Sequence, residues 1–169
     1  MDRERILAML RREEGYAKKL PDGGCAAYQD TKGIWTIGYG YNLESHGYSK
    51  AEAAKVVWTR AQADAALAAE ADAAIAQVRA EIPWASELSD ARHAVLVCMA
   101  YQMGIDGLRQ FVRTLPMIRD GRYQDAADNM LLSKWARSDS QARAHRAAEM
   151  MVSGEFAPWV DQYLGANDA

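Results

Sequence analysis

Glu13 and Glu14 stand immediately before Gly15, and Asp30 lies sixteen residues beyond Glu14. Two carboxyl groups flanking a bond can hydrolyse it. One donates a proton to the leaving oxygen, and the other, ionised, works on the far side; glycosidic bonds are cleaved in this way. The chemistry requires the segment bearing Asp30 to fold back beside the residues before Gly15, so that a Glu and Asp30 face one cleft. Most acids in any chain serve only solubility, and spacing alone does not separate these three from the rest.

Asp30 opens the stretch DTKGIWTIGYG. Its Gly38-Tyr39-Gly40 lacks the third glycine and the immediately following helix of a dinucleotide-binding loop. Tyr28, Ile34, Trp35, Thr36, Ile37, Tyr39 and Tyr41 are aromatic or β-branched, and Gly33 and Gly38 punctuate them. Residues 26–43 are therefore predicted to form a small antiparallel sheet with a tight turn at DTKG. AKKLPDGG at 17–24 reads as a loop.

Helices are expected on either side. Ile6, Leu7, Met9 and Leu10 share one side of a first helix that ends near Gly15. Ser49-Lys-Ala-Glu52 and Thr59-Arg-Ala-Gln62 are capping boxes, predicting a short helix at about 50–57 and a long one at about 60–81. Leu67, Ala71, Ala74, Ile75 and Val78 form the apolar stripe of the long helix, and its acids Asp64, Glu70, Asp72 and Glu81 are expected on a solvated face. Residues 91–103, apolar on nearly all sides, read as a central core helix ended by Gly104. Shorter helices are expected at about 106–112, 115–120, 123–133, 134–138, 140–152 and 156–163. Strands are grouped, not alternated with helices, so the fold class is α+β, mainly α.

The bulk composition excludes several functions. The net charge is −3, with the acidity concentrated in residues 61–90, which carry one Arg against six Asp and Glu. No dense basic stripe points to nucleic acid. Cys25 and Cys98 are far apart and expected to be free thiols. His46, His93 and His145 are scattered, so no metal and no other cofactor is implied. MDRERILAML lacks the apolar core of a secretory signal, and the longest apolar run, Ala94 to Tyr101, has eight residues. The expectation is a monomer made in the cytosol, with no stable membrane insertion.

REEGY at 12–16 and YQDTKGIWTIGYGYNL at 28–43 resemble the phage-type lysozymes (endolysins) of glycoside hydrolase family 24. MAYQMG at 99–104, TLPMIRDGRYQDAADNMLLSKW at 114–135 and RAHR at 143–146 extend the resemblance over nearly the whole chain in the family's order. It implies a lysozyme-like fold in one domain spanning 1–169. A sheet lobe at about 14–58 would be joined by a helix at about 60–81 to a helical lobe at about 84–164, with helix 1–13 packing on the latter. It implies a muramidase that cleaves peptidoglycan between N-acetylmuramic acid and N-acetylglucosamine. Glu14 would be the general acid, Asp30 the general base acting through water, and Thr36 would help to hold that water. Arg143 would tune the acid, and Tyr101, Gln102, Thr114 and Asn129 would line the sugar cleft. By its family role the enzyme would depend on a holin to leave the host cytoplasm and reach the periplasm and cell wall.

The chain departs from the family in three places. The loop around KKLPDGGCA is longer than the type enzyme's, a length that is tolerable entropically and could carry Asp22 or Cys25 toward the cleft. Tyr41 stands where the type enzyme has a histidine paired with an acid that aligns with Glu70, so that ion pair does not carry over. The acidic balance contrasts with the basic character of many lysozymes. Two other readings share the residues: a lytic transglycosylase, which needs no second carboxylate, and a silent wall-binding or virion protein that keeps the fold.

Overall fold

The computed structural model describes residues 1–164, with 138 and 139 as backbone only. The class is α+β, mainly α, as expected. The chain divides into two compact units, residues 10–70 and residues 1–9 with 71 onward. The last five residues of the expected 1–169 domain lie outside the described residues.

The unit of residues 10–70 holds every strand among the described residues. Helix α1 (Arg3–Glu14) ends in it, at Gly15, whose φ of +69° and amide bond to Arg11 O (3.1 Å) close the last turn. Strands β2 (Tyr28–Gln29), β3 (Trp35–Ile37) and β4 (Tyr41–Asn42) form an antiparallel sheet in the order β2-β3-β4. Its first turn is the expected one, with Gly33 N–H donating to Asp30 O at 3.0 Å. A second pair, β1 (Cys25–Ala26) with β5 (Val57–Trp58), was not anticipated. The short helix α2 spans only Lys50–Ala53, because the β-branched and aromatic residues that follow pair with β1 instead of continuing it. Both capping boxes form: Ser49 with Glu52, and Thr59 with Gln62, where Thr59 N donates to Gln62 Oε1 at 2.9 Å and Gln62 N to Thr59 Oγ1 at 3.2 Å.

Helix α3 (Arg60–Glu81) begins in this unit and continues into the other. Its predicted stripe of Leu67, Ala71, Ala74, Ile75 and Val78 is buried throughout. Its acids do not share one solvated face. Asp72 and Glu81 are exposed in surface ion pairs with Arg3 and Arg109, whereas the Asp64 side chain is only 17% exposed and lies between Arg11 and Arg60. Asp64 falls next to buried Ala63, on the flank of the apolar stripe, which explains the difference.

The other unit is helical. α4 (Asp90–Arg109) buries Ala91 and every residue from His93 to Ala100, as a core helix should. Gly104, with φ of +75° and ψ of 161°, breaks the helical path as expected, but the helix resumes at once, so the expected segments 91–103 and 106–112 form one kinked element. α5 (Thr114–Arg119), α6 (Tyr123–Leu131), α7 (Gln141–Ser153) and α8 (Pro158–Asp161) follow. Between α6 and α7 the expected 134–138 helix is a π turn, Trp135–Asp139. Leu96, Met99, Leu108, Ile118, Met130, Met150 and Met151 make the core.

Candidate active site

Of the paired acids before Gly15, the two glutamates have different surroundings. Glu13 is nearly buried and lies 3.4 Å from Arg12 Nη1. Glu14 points to the sheet: its Oε2 is 3.8 Å from the point where a Cβ would stand on Gly40. Gly40 has φ of +84° and follows β3 directly through Gly38-Tyr39, so a left-handed turn presents bare backbone to the carboxylate.

Asp30 sits where β2 turns toward β3. Its Oδ1 accepts the amide hydrogens of Lys32 at 2.8 Å and Ile34 at 2.9 Å. The side chain thus builds the turn that holds it, and among the described residues no hydrogen bond reaches Oδ2. Thr36, 5% exposed, donates its hydroxyl to Ile34 O at 3.1 Å. The hydroxyl proton is committed there, so toward anything in the site the oxygen can only accept.

Cross-strand register places the remaining groups. Tyr28 lies opposite Thr36, and Thr36 opposite Asn42, so these three form one row on one face of the sheet. Tyr28 was not singled out in the sequence, although its spacing of two from Asp30 was a usable signal. Burial raises its hydroxyl pKa, and the negative charges of Asp30 and Glu14 raise it further. One phenol therefore senses both carboxylates.

Tyr41, on β4, has a histidine as its ring partner. His46, from the turn after β4, stacks on the Tyr41 ring with centroids 4.1 Å apart, and its Nε2 lies 3.8 Å from Glu70 Oε1. The imidazole is held from the other side by Asn42 O, 2.7 Å from Nδ1. No fixed spacing in the sequence links residue 46 to residue 70, which is why the pairing was missed.

The long loop of residues 17–24 folds on itself. Asp22 caps its own turn through Gly24 N (2.9 Å), and the Tyr16 hydroxyl donates to Gly23 O at 3.0 Å. Cys25 and Cys98 are both buried, and neither forms a disulfide.

The expected sugar-lining residues belong to the helical unit. Gln102, at the end of the core segment of α4, accepts the Trp135 indole hydrogen at 2.8 Å and donates to Ser140 Oγ. Thr114 is 1% exposed and gives its hydroxyl hydrogen to Asn129 Oδ1 at 2.9 Å. It is therefore placed to orient Asn129. Both line a cavity of about 370 Å³ with Phe111, Val112, Leu132 and Trp135. Tyr101, next to Gln102 in α4, and Arg143, in the first turn of α7, are partly buried. Within the described residues no group of His, Cys, Asp and Glu is arranged to hold a metal.

Residues 23–149 match the family model described as phage lysozyme. The match includes Asp30, Thr36, Tyr101, Gln102, Thr114, Asn129 and Arg143, and it begins after Glu14.

Proposed function

The chain belongs to the phage lysozyme family, a family of peptidoglycan-degrading glycoside hydrolases, and from that premise we propose that it is an endolysin of muramidase type. It hydrolyses the β-1,4 bond between N-acetylmuramic acid and N-acetylglucosamine. Glu14 is the general acid, Asp30 the general base, and Thr36 the residue that holds the water.

One observation supports this reading most strongly. A single turn orients both water-handling groups: Ile34 donates to Asp30 through its amide and accepts from Thr36 through its carbonyl. A water between Thr36 Oγ1 and Asp30 Oδ2 would give one hydrogen to each. Its oxygen lone pair is then left for the anomeric carbon. Asp30 takes the proton as the C–O bond forms, and Glu14, on the sheet's Gly40 side, gives its proton to the departing oxygen. Fixing the acceptors in advance removes the cost of orienting the water during reaction. Arg143 is assigned an electrostatic role toward Glu14, and Tyr101, Gln102 and Asn129 with its partner Thr114 the sugar contacts.

The biological setting is lysis of a bacterial host. The enzyme accumulates in the cytoplasm and meets peptidoglycan after a holin opens the membrane; among the described residues no helix is long and apolar enough to cross it. Mass spectrometry of the digested wall tests the reaction. Reducing muramic ends are expected. Products ending in 1,6-anhydromuramic acid would make the enzyme a transglycosylase, and wall binding without any cleavage would make it a silent relative.

A further inference from the structure

The start of α3 carries a charged and aromatic cluster that the proposed reaction does not use. The Arg60 guanidinium lies over the Tyr16 ring at 4.3 Å and over the Tyr39 ring at 5.5 Å. The two rings tilt against each other with centroids 5.2 Å apart. Arg60 Nε is 3.3 Å from Asp64 Oδ2, one turn along the helix. The other Asp64 oxygen accepts from the Tyr39 hydroxyl at 3.0 Å and lies 3.4 Å from Arg11 Nε.

Each tethered residue lies within three positions of Glu14 or next to Gly40. Arg11 precedes Glu14 by three positions, and Tyr16 follows it by two. Tyr39 directly precedes Gly40, the glycine that Glu14 Oε2 approaches. Ala17 N–H donates to Gly38 O at 3.1 Å, and Gly38 is seated so closely on α3 that a Cβ there would stand 3.0 Å from Ala63 Cβ. The chain before the acid, the chain after it and its backing turn are thus fastened to one Arg–Asp pair. Tyr39 is 4% exposed, and burial, with the charge of Asp64 next, pushes its hydroxyl pKa up to about 12, so it remains a donor at working pH.

We infer that Arg60 is a positioning residue for Glu14, holding the acid's carboxylate on the Gly40 side of the sheet through Tyr16, Tyr39 and Asp64. The inference rests on Glu14 being the general acid. Arginine suits the place because its flat guanidinium stacks on a ring while its Nε reaches a carboxylate, two tasks that a lysine ammonium cannot combine in one geometry.

The test compares wild type, Arg60→Leu and Arg60→Lys, each assayed well below its melting temperature. Steady-state kinetics on solubilised peptidoglycan are read beside the ¹³C titration of the Glu14 carboxyl. Arg60→Leu is expected to lower kcat about tenfold with KM little changed, as misplacement of a reacting group does, and to move the Glu14 carboxyl resonance and its titration. Arg60→Lys, which keeps a cation beside Asp64, should recover part of both. If the leucine variant does not fold, Arg60→Gln replaces it with the same expectations. A folded variant with lower melting temperature but wild-type kcat and an unmoved Glu14 signal would overturn the inference. The carboxyl signal is read whether or not the enzyme turns over. An inactive wild type would therefore sink the catalytic reading separately from the link between Arg60 and Glu14.

Discussion

Asp30 Oδ1 accepts the amide hydrogen of Ile34 at 2.9 Å. This bond ties the proposed base to the start of the strand that carries Thr36, so a change in either water-handling group is felt in a turn they share.

Thr36→Val should therefore separate function from fold. Valine keeps the branched shape but cannot accept from water. The expected loss in kcat is about 10²-fold, against a stability loss of about 1 kcal/mol from the missing bond to Ile34 O. Thr36→Ser should retain most of the rate. Initial rates paired with thermal melts check both; a valine variant as fast as wild type would remove Thr36 from the water site.

The products carry a stereochemical signature. If water attacks from the Asp30 side in a single displacement, as proposed, the first-formed reducing end should be the α-anomer. Proton NMR during early turnover distinguishes it from the β-anomer, whose appearance would instead mean a double displacement and contradict the role of Asp30 as base to water.

Acid should destabilise the helical unit through His93. Burial lowers its pKa, the Met1 ammonium and Arg79 act in the same direction, and Asp90 opposes them. A histidine with its folded pKa depressed contributes stability that is fully present above its unfolded pKa of about 6.5 and is lost as pH falls through the folded value. Denaturation midpoints should drop as pH falls below about 6.5, and His93→Gln should flatten that part of the curve. A variant with an unaltered profile would clear His93.

His46 and Glu70 approach to 3.8 Å, and both side chains are partly exposed, at 40% and 33%. Their coupling in a double-mutant cycle should be below about 1 kcal/mol and should shrink with added salt. A larger, salt-insensitive coupling would show that the Tyr41 stack desolvates the pair.

Gly154 ends α7 with φ of +75°, and a Cβ there would stand 2.7 Å from the Arg92 guanidinium carbon. That guanidinium stacks on Tyr123 at 3.5 Å and donates to Met151 O and Val152 O. Gly154→Ala should cost about 1–3 kcal/mol through backbone strain and a displaced cap, measured by urea denaturation, with kcat unchanged at low temperature.

Periodicity and caps made most helices legible in the sequence. The stripe of α3 and the two capping boxes depend on neighbours within a turn or two, and they formed as read. Pairings between distant residues left no such trace. Val57 and Trp58 became a strand only because Cys25 and Ala26 lay opposite, and Asp64 became a hub only because Arg11, Tyr39 and Arg60 converge on it. At the site, the resemblance to phage-type lysozymes supplied the residues, whereas the row Tyr28–Thr36–Asn42 and the approach of Glu14 toward Gly40 required the fold.

The central claim is that Glu14 and Asp30 together hydrolyse the glycan. It is tested most directly by the rate at which Glu14→Gln and Asp30→Asn release reducing muramic ends from purified peptidoglycan, with folding verified for each. Both substitutions preserve shape and remove the proton-transfer function, so each should reduce the rate by about 10²-fold or more. Wild-type release by either variant would contradict the role assigned to that residue.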